Sequence, residues 1–205
     1  MMERIMTRAV LRRFAQVAIA ALALGAVWCK TNDIERREGE PDVCNGDCYC
    51  SDETCEVDCP DGDCLVECLD QSDCSFDCTG GGCELDCDQD STCNHTCTGG
   101  DCVYDCDRGA QCELDCPTGG CGLNSCDKDA TCHFSCPGGN CDILCEANST
   151  CIIDCSGGGC TTKCDDAHSC EQQCSGDCHL QCSSTATCTQ TCEDPEGCTC
   201  DRCTM

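Results

Sequence analysis

Large side chains are scarce in this chain. Aromatics make up 3 % of 205 residues, and the one Trp, Trp28, stands in the N-terminal segment. A conventional packed core needs bulky apolar groups, so such a core is excluded as the main source of stability. Basic residues are also few: 11 Lys and Arg stand against 39 Asp and Glu, for a net charge of −28. This balance repels phosphate backbones and anionic membrane faces, which excludes nucleic acid as a partner. It suits divalent cations or cationic partners. Catalytic signatures are missing too: no Gly-x-Ser-x-Gly, phosphate loop or His-Glu-x-x-His occurs. With no converging acid, base and nucleophile, the chain reads as non-enzymatic.

Cysteine is what the chain has in excess, 37 of 205 residues. That is about twice the level that marks a disulfide scaffold. From Cys55 to Cys192 the order is Cys-x3-Cys, a gap of four, Cys-x3-Cys, a gap of five, and again. Units start at Cys55, Cys74, Cys93, Cys112, Cys132, Cys151, Cys170 and Cys188, in steps of 19 with one of 20 and one of 18. The residue midway between paired Cys is mostly apolar: Val57, Val66, Phe76, Leu85, Tyr104, Leu114, Leu123, Phe134, Ile143, Ile153 and Leu180. It is polar at His95, Thr162, Gln172 and Gln190. Its neighbours are acidic or polar, as in Glu56 and Asp58 or Glu84 and Asp86. Alternation with period two puts both Cys and the middle residue on one face of a short strand. One turn of helix would also fit Cys-x3-Cys, but the gaps are too short for separate helices and the middle residues favour strand.

The two gaps differ. In the shorter one the second residue before the Cys is always Gly: Gly62, Gly81, Gly100, Gly119, Gly139, Gly158 and Gly176. Gly there implies a positive φ or an inward position with no room for a side chain. In the longer gap that position is small but not Gly (Ser72, Ser91, Ala110, Ala130, Ser149, Ala186), with His168 the exception. Two strands and two unlike turns per 19 residues describe a coil of an all-β, disulfide-stapled solenoid with little conventional core. At about 4.8 Å per coil, eight units make a rod of roughly 35–40 Å. The bridge candidates are Cys55, Cys59, Cys64, Cys68, Cys74, Cys78, Cys83 and Cys87. Antiparallel strands within a coil suggest nested bridges, with Cys55 facing Cys68 and Cys59 facing Cys64, while bridges between neighbouring coils stay open. Such bridges bring Cα atoms to about 5.5 Å, and Phe76 and Phe134 strain so thin an interior. Cys126 falls one residue late and Cys178 one early, which places an insertion in a strand and a deletion in a turn.

This plan, a small coil with internal Cys at fixed steps, resembles the disulfide-stapled β-helices of beetle antifreeze proteins. The resemblance is architectural: those proteins show outward Thr-x-Thr ranks, and here the outward residues are acidic or mixed, so ice binding does not carry over.

The N-terminus gives the compartment. Arg4, Arg8, Arg12 and Arg13 precede an apolar stretch from Phe14 to Val27, a signal-peptide pattern over residues 1–29. Export implies an oxidising environment and hence disulfides. Cys29 follows the apolar stretch at the position of a lipidated lipoprotein Cys, and removing or lipidating it leaves an even number of Cys. Ala26-Val27-Trp28 is a poor lipobox, so lipid anchoring at Cys29 and plain secretion both stay open. Residues 30–43 are charged and carry Gly39 and Pro41, as a tether does. Residues 44–54 and 193–205 break the repeat and read as caps around a solenoid of 55–192. Signal, tether and long Cys repeat together resemble the Cys-rich secreted repeat proteins of myxobacterial type, a family that brings no activity with it. The expected role is an exported structural or interaction rod of the cell envelope.

No resident cofactor is expected. The metal alternative is Ca2+, held through oxygens of outward carboxylates on neighbouring coils, with Asp58, Asp77, Asp86, Asp105 and Asp115 as candidates. The bland reading, a solvated acidic face, weighs against it. Thiolate metal sites lack their pattern, because Cys200-x2-Cys203 is the one Cys-x2-Cys. That same end pair carries the one thiol-exchange reading, and Cys174-x3-Cys178-His179 is a stretched haem near-match.

Overall fold

The computed structural model describes residues 28–29, 42–52 and 54–203. Among these residues the chain forms nineteen strands and no helix. In chain order they are β1 (Trp28–Cys29), β2 (Asp42–Val43), β3 (Asp47–Ser51), β4 (Thr54–Cys59), β5 (Leu65–Leu69), β6 (Asp73–Cys78) and β7 (Glu84–Cys87). Then come β8 (Thr92–Cys97), β9 (Val103–Cys106), β10 (Gln111–Asp115), β11 (Gly122–Cys126), β12 (Thr131–Ser135) and β13 (Asp142–Glu146). The last are β14 (Thr150–Cys155), β15 (Thr161–Asp165), β16 (Ser169–Cys174), β17 (His179–Cys182), β18 (Thr187–Cys192) and β19 (Thr199–Asp201). Odd-numbered strands form a ten-stranded sheet and even-numbered strands a nine-stranded one, each in chain order. Neighbours are parallel, except β1 on β3. The chain thus runs along one sheet, turns, returns along the other and climbs one coil. This is the expected parallel β-solenoid.

The 19-residue period sets the register. Cys55, Cys74, Cys93, Cys112, Cys132, Cys151, Cys170 and Cys188 stack rung on rung in the nine-stranded sheet. Val57, Phe76, His95, Leu114, Phe134, Ile153, Gln172 and Gln190 stack beside them. The late Cys126 is absorbed as a bulge between Leu123 and Ser125. The early Cys178 is absorbed in a turn, where Cys174 and Cys178 are four residues apart instead of five. Solenoid strands begin earlier and end later than the repeat: β2 lies at the end of the expected tether, and β3 and β19 lie within the expected caps. The signal over residues 1–29 lies outside the described residues apart from β1.

Each turn explains its sequence. In the longer gap Ser91 N–H donates to the Asp88 carbonyl (3.2 Å), and Ala110, Ala130 and Ser149 do the same to Asp107, Asp127 and Glu146 (3.0–3.1 Å). Both central residues have positive φ, as in Gln89 (41°) and Asp90 (61°), the geometry of a tight hairpin turn. The fourth residue points inward and is buried, which is why it is small. Where His168 breaks that pattern, Ala167 takes the buried place one residue earlier and His168 stays exposed. In the shorter gap Gly119, Gly139 and Gly158 N–H groups donate back to the Cys116, Cys136 and Cys155 carbonyls (3.0–3.1 Å). Two demands for glycine meet at Gly81. Its φ is +81°, and a Cβ there would stand 2.8 Å from the Gly100 carbonyl oxygen, which accepts the Gly82 N–H.

Cysteines from Cys44 onward pair as eighteen bridges, each with its next neighbour in sequence, and none of these is free. Cys59–Cys64 and Cys78–Cys83 close short turns, as the antiparallel strands suggested. The nested Cys55–Cys68 bridge does not form: Cys55 bonds Cys50 and Cys68 bonds Cys74. Cys87 likewise bonds Cys93. The longer turn brings Cys74 to 6.4 Å from Cys68, Cα to Cα, so the bridge spans that turn. Every turn is therefore closed by its own bridge.

The bridges form two walls, one along each row of turns, with the middle residues of both sheets between them. Phe76 and Phe134 do not strain this interior; both are buried. The rings occupy different levels and pack on one another. Phe76 stacks on His95 (4.4 Å between centroids), His95 meets Tyr104 edge-on (4.8 Å), and Tyr104 meets Phe134 edge-on (5.7 Å).

Candidate functional site

Strand alternation sends every second side chain to solvent, so each sheet shows ranks of outward residues at coil spacing. The five calcium candidates divide between the two faces. Asp58, Asp77 and Asp115 lie on the nine-stranded sheet and Asp86 and Asp105 on the ten-stranded one. On the first face Asp58 and Asp77 are direct neighbours, but Thr96 separates Asp77 from Asp115. On the second, Glu67, Asp86 and Asp105 occupy three consecutive rungs. The structure therefore makes two separate acidic ranks and not one site.

Like charge in these ranks is felt. Partial burial, then the charges of Asp77 and Glu56, raises the Asp58 pKa above the ordinary carboxylate value. Burial and the charges of Asp88, Asp107 and Glu84 raise Asp86 against the opposing pull of Arg108.

A polar cluster that the repeat reading did not single out lies where the longer turns begin. Lys128 Nζ lies 3.3 Å from both Asp107 and Asp127, Ser125 Oγ donates to Asp107 (3.1 Å), and Arg108 reaches Asp88 at 3.0 Å. Burial pushes Asp107 up, but hydrogen bonds from Asp127, Lys128 and Ser125 outweigh it and hold this carboxyl low. Burial and the Asp107 charge leave Asp127 raised. The signal was present in the Asp that starts these gaps; the pairing needed the stacking of one turn on the next.

Two shallow clefts lie on opposite faces of the middle coils. One, of about 620 Å3, is bordered by Asn94, Glu113, Asp115, His133, Ile152 and Asp154. The other, of about 560 Å3, opens over Gly122 between Val103, Asp142 and Leu144. The end residues are also engaged: Cys200 bonds Cys203, Cys174 bonds Cys178, and His179 Nδ1 meets Thr199 Oγ1 at 2.8 Å. The groups of three cysteine sulfurs drawn together along the walls consist of disulfide sulfurs, which are not the thiolates a metal site requires.

Fold and surface together define a disulfide-stapled parallel β-solenoid with acidic outward ranks. No protein-family model, curated protein or solved structure matches the chain.

Proposed function

We propose that this protein is an exported, non-enzymatic rod of the cell envelope, a rigid structural or interaction element, lipid-anchored through Cys29 or secreted. The observation that supports this reading is the bonding of every cysteine from Cys44 to Cys203, which belongs to an oxidising compartment. A bridge closing so short a loop contributes about 2 kcal/mol. Eighteen of them hold the coils without a broad apolar core. The acidic faces supply solubility and discourage edge-to-edge association. The test is the intact mass of the natively exported protein with and without reduction. The reading expects all 36 cysteines after Cys29 to resist alkylation until reduced, with any lipid seen as excess mass at the new N-terminus. Free thiols before reduction would remove its basis.

A second reading, weak Ca2+ binding by the acidic ranks, is favoured by the Asp58–Asp77 pair and the Glu67–Asp86–Asp105 run on adjacent rungs. It expects a melting shift at millimolar Ca2+ that EGTA abolishes. No shift at that concentration rejects it.

A further inference from the structure

The disulfide walls bring sulfurs together along the rod as well as across each turn. Sγ of Cys59 lies within 4.8 Å of both sulfurs of Cys78–Cys83, and Sγ of Cys78 within 4.8 Å of both sulfurs of Cys97–Cys102. Cys160 sits in the same way against Cys136–Cys141. In the other wall Cys50 lies against Cys68–Cys74, and Cys132 against Cys106–Cys112. The short-turn row continues to the C-terminal end, where Cys155, Cys174 and Cys192 are register partners on adjacent strands.

Access to these sulfurs is one-sided. Cysteines from Cys44 to Cys188 are at most 4 % exposed. Beyond them Cys192, Cys200 and Cys203 are half-buried, packed against the end of the core. A reductant in solution therefore meets sulfur at the C-terminal end, and the first bridge of the short-turn wall that it meets is Cys192–Cys198.

We propose that the short-turn wall is a path for thiol–disulfide exchange, which carries a dithiol from the C-terminal end of the rod into its interior. A small-molecule dithiol reduces Cys192–Cys198 and leaves as its own cyclic disulfide. The Cys192 thiolate attacks one sulfur of Cys174–Cys178, a mixed bridge forms, and the other sulfur departs as a thiolate. The Cys198 thiolate then attacks the Cys192 sulfur of the mixed bridge. Cys192–Cys198 is restored, and Cys174 and Cys178 are left as the dithiol. Two electrons and two protons have moved one coil, and the number of bridges is unchanged. Adjacent bridges have the same chemistry and similar surroundings, so each step is nearly thermoneutral and the dithiol spreads. Burial disfavours the thiolate, so the spread is slow and quickens about tenfold per pH unit below the thiol pKa. The middle residues stand between the two walls, so exchange runs along a wall and not across the coil. The rod would thereby store reducing equivalents at depth, a property beyond its structural role.

The test treats the oxidised full-length chain at pH 8.5 with one equivalent of dithiothreitol, then alkylates samples over time and maps the label by mass spectrometry. The expected course is early label on Cys192, Cys198, Cys200 and Cys203, followed at constant total label by Cys174 and Cys178, then Cys155 and Cys160. Label that stays on the terminal pairs, or that appears at all depths in the first sample, overturns the proposal. The double variant Cys116→Ala/Cys121→Ala removes one bridge from the path without leaving a lone thiol, and label should then stop at Cys136 and Cys141. Label crossing that gap also overturns it. Cys106→Ala/Cys112→Ala, an equal loss in the other wall, should leave the spread intact, which separates a broken path from a damaged fold.

Discussion

From Val57 to Ile153 the inward middle positions are apolar or aromatic with one exception, His95, whereas from Thr162 to Gln190 three of four are polar. Both stretches sit in the same frame of bridges and are equally buried. In the C-terminal stretch the polar groups chain together: Gln172 Nε2 donates to Thr162 Oγ1 and Gln190 Nε2 to Gln172 Oε1, each at 3.0 Å. In the N-terminal stretch His95 has no hydrogen-bond partner at either ring nitrogen and rests on Phe76 and Tyr104. The difference shows that the bridges hold the backbone spacing, so the filling can be apolar contact or a hydrogen-bonded chain. A lone polar group is tolerated as a neutral ring.

The comparison breaks most sharply at Phe76. Phe76→Ala empties a buried ring site and should cost about 3–5 kcal/mol, read as faster amide exchange confined to β4, β6 and β8 with all bridges intact. Exchange unchanged in those strands would show that the walls alone hold the coils.

His95 is next. Burial holds its pKa down to about 3, against the ordinary 6.5. Between these values the unfolded chain takes up a proton that the folded chain cannot. Stability is therefore complete above pH 6.5 and declines as the pH falls toward 3. At pH 4.5 the loss should be about 2–3 kcal/mol, two pH units of linkage. Denaturant unfolding at pH 7 and 4.5 should show it in the wild type and not in His95→Phe.

Gln172→Ala should cost about 1–3 kcal/mol, because it leaves Thr162 Oγ1 and Gln190 Nε2 buried and unpaired. Gln172→Leu in a Thr162→Val background, which removes both ends of one bond, should recover part of the loss. No recovery would mean that the polar chain is held for shape alone.

The smallest effects contrast one turn from each stretch. Gly81→Ala places a Cβ at positive φ and against the Gly100 carbonyl, and should cost about 1–2 kcal/mol. Gly176 sits in the shortened turn outside the left-handed region, where a Cβ would meet nothing nearer than Asp194 Cβ at 3.8 Å. Gly176→Ala should be neutral or slightly stabilising. Equal melting shifts for the two would show that turn stacking does not depend on glycine.

Much of this architecture is legible in the sequence. Cys at fixed steps, alternation around the middle residue and Gly in every shorter gap determined the strands, the two kinds of turn and the parallel register. These are local properties with a period, and a period is read directly from the chain. Other features depended on which coil lies next to which. Whether Cys68 bonds Cys55 or Cys74 depends on how close the longer turn brings its two ends, and a one-dimensional pattern contains both. Asp58, Asp77 and Asp115 are equivalent to Asp86 and Asp105 in the repeat, but their strands belong to opposite sheets. The pairing of Asp107 with Asp127 and Lys128, the Gln172 chain and the sulfur-to-sulfur approach of Cys59 and Cys78 join residues 10 to 21 apart. The sequence by itself determined what repeats. What touches was decided by tertiary structure, because contacts across coils depend on the turn geometry and on which strands become neighbours, which no single repeat encodes.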